Sequence, residues 1–216
     1  MLGFTRPPSA LRIGNINPGG VAIGDTKVWP VAVPVLYMVG QNNAVLYTLD
    51  TTTSIATRVG SATQFGVGEP FTAGIASHNG VLYMAGRSND ALYTLNTTTG
   101  VATRVGSAIG FGVGENAPQG LASHNGVLYM AGQRNDALYT LNTTTGVATR
   151  VGRAIAFGVG ENTPHGLASH NGVLYMVGIS NRALYTLNTT TGVATRVGSA
   201  IDFGVGEDLP TGIASL

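Results

Sequence analysis

Three histidines open the same string in this chain. His78, His124 and His170 each begin His-Asn-Gly-Val-Leu-Tyr-Met and lie 46 residues apart. Evenly spaced imidazoles raise the question of a metal centre, but a metal needs its ligands converging within a few ångströms. One histidine per repeat unit points outward from each unit separately, so these read as turn residues and no metal site is expected. The string Phe-Gly-Val-Gly-Glu recurs at 65–69, 111–115, 157–161 and 203–207. It lacks the Lys-Ser/Thr and following helix of a phosphate loop. Its glycines shape a loop whose Phe fills the core between units, with the Glu paired to a recurrent arginine such as Arg104 or Arg150. Alternatively, Glu115, Glu161 and Glu207, with Asn116 and Asn162, bond to sugar hydroxyls. Asn96, Asn142 and Asn188 each begin Asn-Thr-Thr, a glycosylation acceptor in a secreted chain, but the first copy has Asp50 there. Asn and Asp both cap turns with their side chains, so turn-making is the better reading.

The differences between copies carry the rest of the site reading. Residues 76–84 and 91–106 recur unchanged in three successive units. Variation falls in the loop between the second and third strands, at Arg87/Gln133/Ile179, Ser88/Arg134/Ser180 and Asp90/Asp136/Arg182, around constant Asn89, Asn135 and Asn181. It also falls in or beside the long inter-unit loop, at Gly110/Ala156/Asp202, Ala117/Thr163/Leu209 and Ala73/Gln119/His165. Strand direction alternates in an up-and-down sheet, so these two loops emerge on one face and the invariant turns on the other. Loops on a rigid scaffold are where binding residues concentrate. The ligand-binding candidates are therefore Arg87, Asn89, Asp90, Gln133, Arg134, Asn135, Asp136, Asn181 and Arg182, with the Glu and Asn residues of the long loop. Neutral drift of tolerant loops is the competing explanation. No acid, base and nucleophile lie close together or at mirrored positions, so no catalytic residue and no cofactor is expected, and the protein reads as a non-enzyme.

The elements that position these residues follow from the repeat. The string from Ala91 to Gly106 recurs at Ala137 and Ala183, and a diverged copy precedes them with Tyr37, Tyr47, Thr57, Arg58 and Gly60 in register. One unit reads as four strands at 120–123, 127–131, 137–141 and 147–151, turned by Asn-Gly and Thr-Gly pairs. In the second strand both alternating sets are apolar, so it is packed on both sides, whereas Arg150 and Thr149 leave the fourth partly exposed. Such a gradient over four antiparallel strands indicates a propeller blade. Tyr83, Tyr93, Tyr129, Tyr139, Tyr175 and Tyr185 stand at apolar strand positions and read as packing between blades. Four units run approximately 27–70, 73–116, 119–162 and 165–208, in one domain spanning 1–216. Segments 1–23 and 209–216 make an incomplete fifth, closing blade, which a neighbouring chain could complete in a homo-oligomer.

Composition narrows the partners. Charged residues are only 10% of the 216 and the formal net charge is +1, which excludes the basic field that nucleic acid requires. There is no cysteine, and hence no thiolate chemistry or disulfide. No apolar run reaches the roughly 18–20 residues of a membrane helix, so membrane insertion is not expected. Arg6, Pro7 and Pro8 break any apolar core of a signal peptide in the chain as written, and the compartment is left open. Thirty-two glycines fit many strands joined by tight turns, with essentially no helix.

The order Ala102-Thr103, Gly106-Ser107, long loop, Asn125-Gly126, Leu128-Tyr129, short loop, Leu138-Tyr139 resembles the blades of tachylectin-2-type lectins in every copy. That resemblance implies a five-bladed propeller binding N-acetylated amino sugars at several equivalent sites. The expectation is thus a non-enzymatic, multivalent glycan-binding propeller. A protein or peptide scaffold, and a designed or recently amplified repeat with no evolved ligand, are the alternatives.

Overall fold

A computed structural model describes residues 21–23, 26–28, 35–40, 44–108, 110–154 and 156–198. The N-terminal unit, 1–35, separates from the unit formed by 36–216. In the first, β1 (Val21–Ile23) pairs antiparallel with β2 (Thr26–Val28). The second unit holds four sheets in chain order. The first comprises β3 (Leu36–Gly40), β4 (Val45–Leu49) and β5 (Ala56–Arg58), and the second β6 (Thr72–His78), β7 (Val81–Gly86), β8 (Ala91–Leu95) and β9 (Ala102–Arg104). The third comprises β10 (Pro118–His124), β11 (Val127–Gly132), β12 (Ala137–Leu141) and β13 (Ala148–Arg150). The fourth comprises β14 (Pro164–His170), β15 (Val173–Gly178), β16 (Ala183–Leu187) and β17 (Ala194–Val197). Every sheet is an antiparallel meander in sequence order, and β6, β10 and β14 are the innermost strands. The chain is an all-β propeller with four-stranded antiparallel blades.

The expected gradient is present. Val127 apart, β11 is buried along its length, whereas β13 buries only Ala148 and exposes Thr149 and Arg150. Strand pairing places Leu121 beside Met130 and Met130 beside Tyr139. Adjacent blades share a core: Tyr83 and Ala85 of the second blade pack with Met130, Tyr139 and Leu141 of the third, around Phe111. Phe157 occupies the same place between the third and fourth blades, and Phe65 between the first and second. These phenylalanines are fully buried on 3-10 turns, the only helical elements among the described residues, at φ of 52° or 53°. A bulky residue at positive φ is strained. Burying the ring between two sheets, worth about 1.5–3 kcal/mol, offsets that strain.

Two expectations meet the structure differently. The first unit was read as a four-stranded blade starting near residue 27, but Thr26–Val28 pairs with Val21–Ile23, and the first sheet has three strands among the described residues. The closing blade from 1–23 and 209–216 falls almost entirely outside the described residues. Four blades are described.

Candidate functional site

The long loop and the loop between the second and third strands do meet at one end of the second, third and fourth blades, and a buried glutamate joins them. Glu115 is fully buried; its Oε1 accepts hydrogen bonds from the backbone N–H of Ala117 (2.9 Å) and Arg134 (3.1 Å), and its Oε2 from that of Asn135 (3.2 Å). Glu69 binds the amides of Phe71, Ser88 and Asn89 in the same way, and Glu161 those of Thr163, Ser180 and Asn181. The expectation that Glu115 and Glu161 bond to sugar hydroxyls is therefore corrected: each is sealed from solvent with its lone pairs directed at backbone donors. The arginine pairing is corrected too, because Arg104 and Arg150 donate to the carbonyls of Ala108 and Ala154. Glu207 lies outside the described residues.

The remaining loop candidates divide by what already holds them. The backbone N–H groups of Asn89, Asn135 and Asn181 are held by the glutamates, and their side chains lie by the phenols of Tyr93, Tyr139 and Tyr185. Burial pushes those phenols above their ordinary range, and the Asn contacts oppose the shift. Gln133 Oε1 accepts from Gln119 Nε2, and Asn162 Oδ1 accepts from the hydroxyls of Thr163 and Ser180. Asp90 and Asp136 sit half-buried at φ of 46° and 44°, each with a buried Oδ1 that has no hydrogen-bond partner. Desolvation raises both carboxyls above the usual carboxylate value; Glu69 and then Glu115 add to the rise at Asp90, and Glu115 and then Glu161 at Asp136. Arg182 stands at the equivalent position of the fourth blade and is exposed, as are Arg87, Arg134 and Asn116. Among the described residues, the exposed Arg87, Arg134 and Asn116 are the loop candidates on this end whose side chains make no hydrogen bond within the protein.

The opposite end, where the turns are invariant, carries open grooves between blades. An open groove of about 530 Å³ lies between the second and third blades, lined by His78 from one and by Leu128, Thr140, Asn142, Thr144 and Thr149 from the other. A groove of about 560 Å³ lies between the third and fourth, lined by His124 with Leu174, Thr186, Asn188, Thr190 and Thr195. Every residue of the first has its counterpart 46 positions on in the second. The lining is uncharged and mixes hydroxyls and amides with leucine and valine methyls.

The invariance of this end has a structural cause. His124 is buried; its Nδ1 lies 2.8 Å from Ser169 Oγ of the next blade and its Nε2 3.0 Å from the Asn125 amide nitrogen. With that amide donating, Nε2 accepts and the Nδ1–H is donated to the serine. His78 makes the same clasp to Ser123 at 2.9 Å and packs edge-on against Tyr83. Asn142 Oδ1 accepts from the amides of Thr144 and Thr145, both at 2.9 Å, the turn-capping role expected of it. Gly146 stands at φ +72° so close to the second blade that a Cβ would lie 2.4 Å from Val105 O. Sequence reasoning missed the histidine–serine clasp; its signal was the constant spacing of 45 residues between donor and acceptor.

No protein-family model matches the chain, and no curated protein sequence matches it. Solved structures do. A protein of unknown function from Bacteroides thetaiotaomicron superposes with a TM-score of 0.58 at 18% identity, over 84% of this chain and 51% of that one. Virginiamycin B lyase from Staphylococcus aureus gives 0.52 at 14% identity, over 88% and 64%. A gluconolactonase from Xanthomonas campestris gives 0.56 at 16% identity, over 83% and 62%. The chain thus spans about half to two-thirds of the length of these structures. The likeness is one of fold, and it overturns one expectation: enzymes are built on this propeller, so the missing linear arrangement of acid, base and nucleophile does not make the chain a non-enzyme. A ring of blades gathers chemistry from separate repeats, which spacing along one repeat does not reveal.

Proposed function

We propose that the protein binds carbohydrate in the grooves between neighbouring blades, several equivalent sites acting together. The observation that carries this reading is the recurrence of one groove, residue for residue, at a spacing of 46. Multivalent binding needs copies of one site, and the strings repeated without change line these grooves. Thr140, Asn142, Thr144 and Thr149 offer neutral donors and acceptors suited to sugar hydroxyls, while the half-buried Val127 offers apolar contact for sugar C–H faces. Individually weak sites on one rigid scaffold reach useful affinity for a glycan-bearing surface through avidity. The resemblance to tachylectin-2-type lectins makes N-acetylated amino sugars the first class to test.

A glycan array with the intact chain is the direct experiment, followed by calorimetry with the monosaccharide that competes. The expected result is two or more equivalent sites per chain, weakened at least about tenfold by the double change Thr149→Val and Thr195→Val, which removes a hydroxyl from each groove. Arg134→Ala, at the opposite end of the blade, leaves binding unchanged. A blank array, or sugar binding indifferent to the groove changes but lost with Arg134, overturns the proposal.

A further inference from the structure

The grooves repeat from joint to joint, but one cavity is lined by strands of all four sheets. It has a volume of about 420 Å³ and is walled by β3, β6, β10 and β14, all within the unit formed by 36–216. Each of β6, β10 and β14 gives the wall a glycine (Gly74, Gly120 or Gly166) and the residue before it (Ala73, Gln119 or His165). The glycine is constant, and the residue before it differs in every copy.

That residue stands at an irregularity in each sheet. β10 pairs Pro118 with Gly132 and Gly120 with Ala131, so Gln119 is one residue more than β11 matches. β6 has the same extra residue between Thr72 and Gly74, and β14 has one between Pro164 and Leu167. Such bulges re-aim a side chain and are over-represented beside active sites. The variation here is unlike that of the exposed loops. Gln119 is 4% exposed, and Ala73 and His165 are half-buried, in strands whose Gly, Ala, Ser and His residues do not change. Replacing a methyl by a carboxamide or an imidazole at a packed position disturbs its neighbours. The change at 119 also comes with its own partner: Gln133, which accepts from Gln119 Nε2 at 2.5 Å, is Arg87 and Ile179 in the adjoining copies.

A site present at every joint keeps its residues, whereas a cavity common to the blades holds one ligand that meets each copy from a different side. Divergence between copies is what shapes such a site. The cavity has two unlike sides. Met38, which is 39% exposed, and the half-buried Val39 and Ile75 offer apolar surface. His165 offers an imidazole, and no Asp, Glu, Lys or Arg is in the lining. One imidazole does not hold a metal, which needs three or four converging donors. A carboxylate, by contrast, accepts a strong hydrogen bond from an imidazolium, and no acidic group in the wall repels it.

We infer that this cavity takes one small apolar carboxylic acid per chain, its carboxylate on His165 and its body against Met38 and Val39. The volume falls within the roughly 300–1,000 Å³ of small-molecule sites. The inference is independent of glycan binding in the grooves.

Benzoate is the probe, with benzamide and benzylamine as its neutral and cationic counterparts. The ring resonances of the four histidines of the full chain are the readout. Benzoate is expected to shift one histidine, the one missing from the spectrum of His165→Gln, and to saturate at one molecule per chain. His165→Gln should weaken benzoate at least about tenfold. Met38→Glu, at an exposed position that tolerates a charge, should do the same, and Met38→Lys should tighten benzoate while leaving benzamide unchanged. A His165 resonance unmoved by millimolar benzoate in the folded protein overturns the inference. Equal binding of benzoate, benzamide and benzylamine overturns it too, as does benzoate binding indifferent to His165→Gln.

Discussion

Removing the Glu115 carboxylate tests the account of the loop end most sharply. The side chain is fully buried and accepts three backbone hydrogen bonds, from Ala117, Arg134 and Asn135. Hydrogen bonds to a charged group contribute about 1.5–3 kcal/mol each. Three would suggest more than about 4.5 kcal/mol, but Arg134 is exposed and its neighbours are half-buried, so freed amides regain water. We expect Glu115→Ala to cost about 3 kcal/mol. Glu115→Gln keeps the Oε1 bonds but faces the Asn135 N–H with a second donor, and should cost about half as much. Urea unfolding measures both, and at a few degrees per kcal/mol the Ala variant should melt about 6–12 °C lower. Hydrogen exchange should speed at residues 117, 134 and 135 and not at the histidine turns. A variant within about 0.5 kcal/mol of the parent with unchanged exchange refutes the reasoning, as does one that keeps full stability and loses a ligand.

Other consequences are independent of that one. Asp90 and Asp136 have folded pKa values raised by burial, so the folded state holds more protons than the unfolded one just above the ordinary carboxylate value of 3.8. Stability therefore falls as pH rises through that window, and Asp136→Asn should be more stable than the parent at pH 7 while losing part of the slope; a less stable variant contradicts this. Asp50 runs the other way: the amides of Thr53 and Thr52 lower its pKa, so its contribution is present at neutral pH and lost as pH drops below the ordinary value, a slope that Asp50→Asn should flatten. Phe111→Ala should cost about 3–5 kcal/mol, since the ring has no exposure and fills the joint between two blades. Ser169→Ala should cost about 1 kcal/mol and Ser169→Val more, because His124 keeps its buried Nδ1 without a partner; equal stability of all three proteins would dismiss the clasp.

The fold was legible because its evidence is repetition. Asn125-Gly126 and Thr145-Gly146 mark hairpins, β12 has the bounds read from the sequence, and Phe111 lies between blades as its recurrence suggested. The sites were less legible for a physical reason. A side chain's partners across a joint are about one repeat away, as Ser169 is from His124, and Glu115 looks like a polar loop residue until its depth is known. Asn135 looks like a hydrogen-bonding group on offer, yet its backbone N–H is already given to Glu115.

The contrast between the two ends of the blades therefore changes meaning. Variation at Arg87, Arg134 and Asp136 first suggests selection for different ligands. The structure supplies a sufficient cause for constancy at the other end, where His124, Asn142 and Gly146 each hold one blade to the next or fix a turn that does. Turns that build joints cannot drift, so the variable end is simply the less constrained one, and its variability no longer argues for binding. Constancy, however, exceeds what the joints require in one respect. Thr149 and Thr195 line equivalent grooves, are exposed, and no hydrogen bond within the protein engages either hydroxyl among the described contacts. On an outermost strand such a position tolerates many residues, and holding threonine in each copy is the expectation when the hydroxyls themselves are used. The grooves, rather than the loops, are where a ligand accounts for something the fold alone does not.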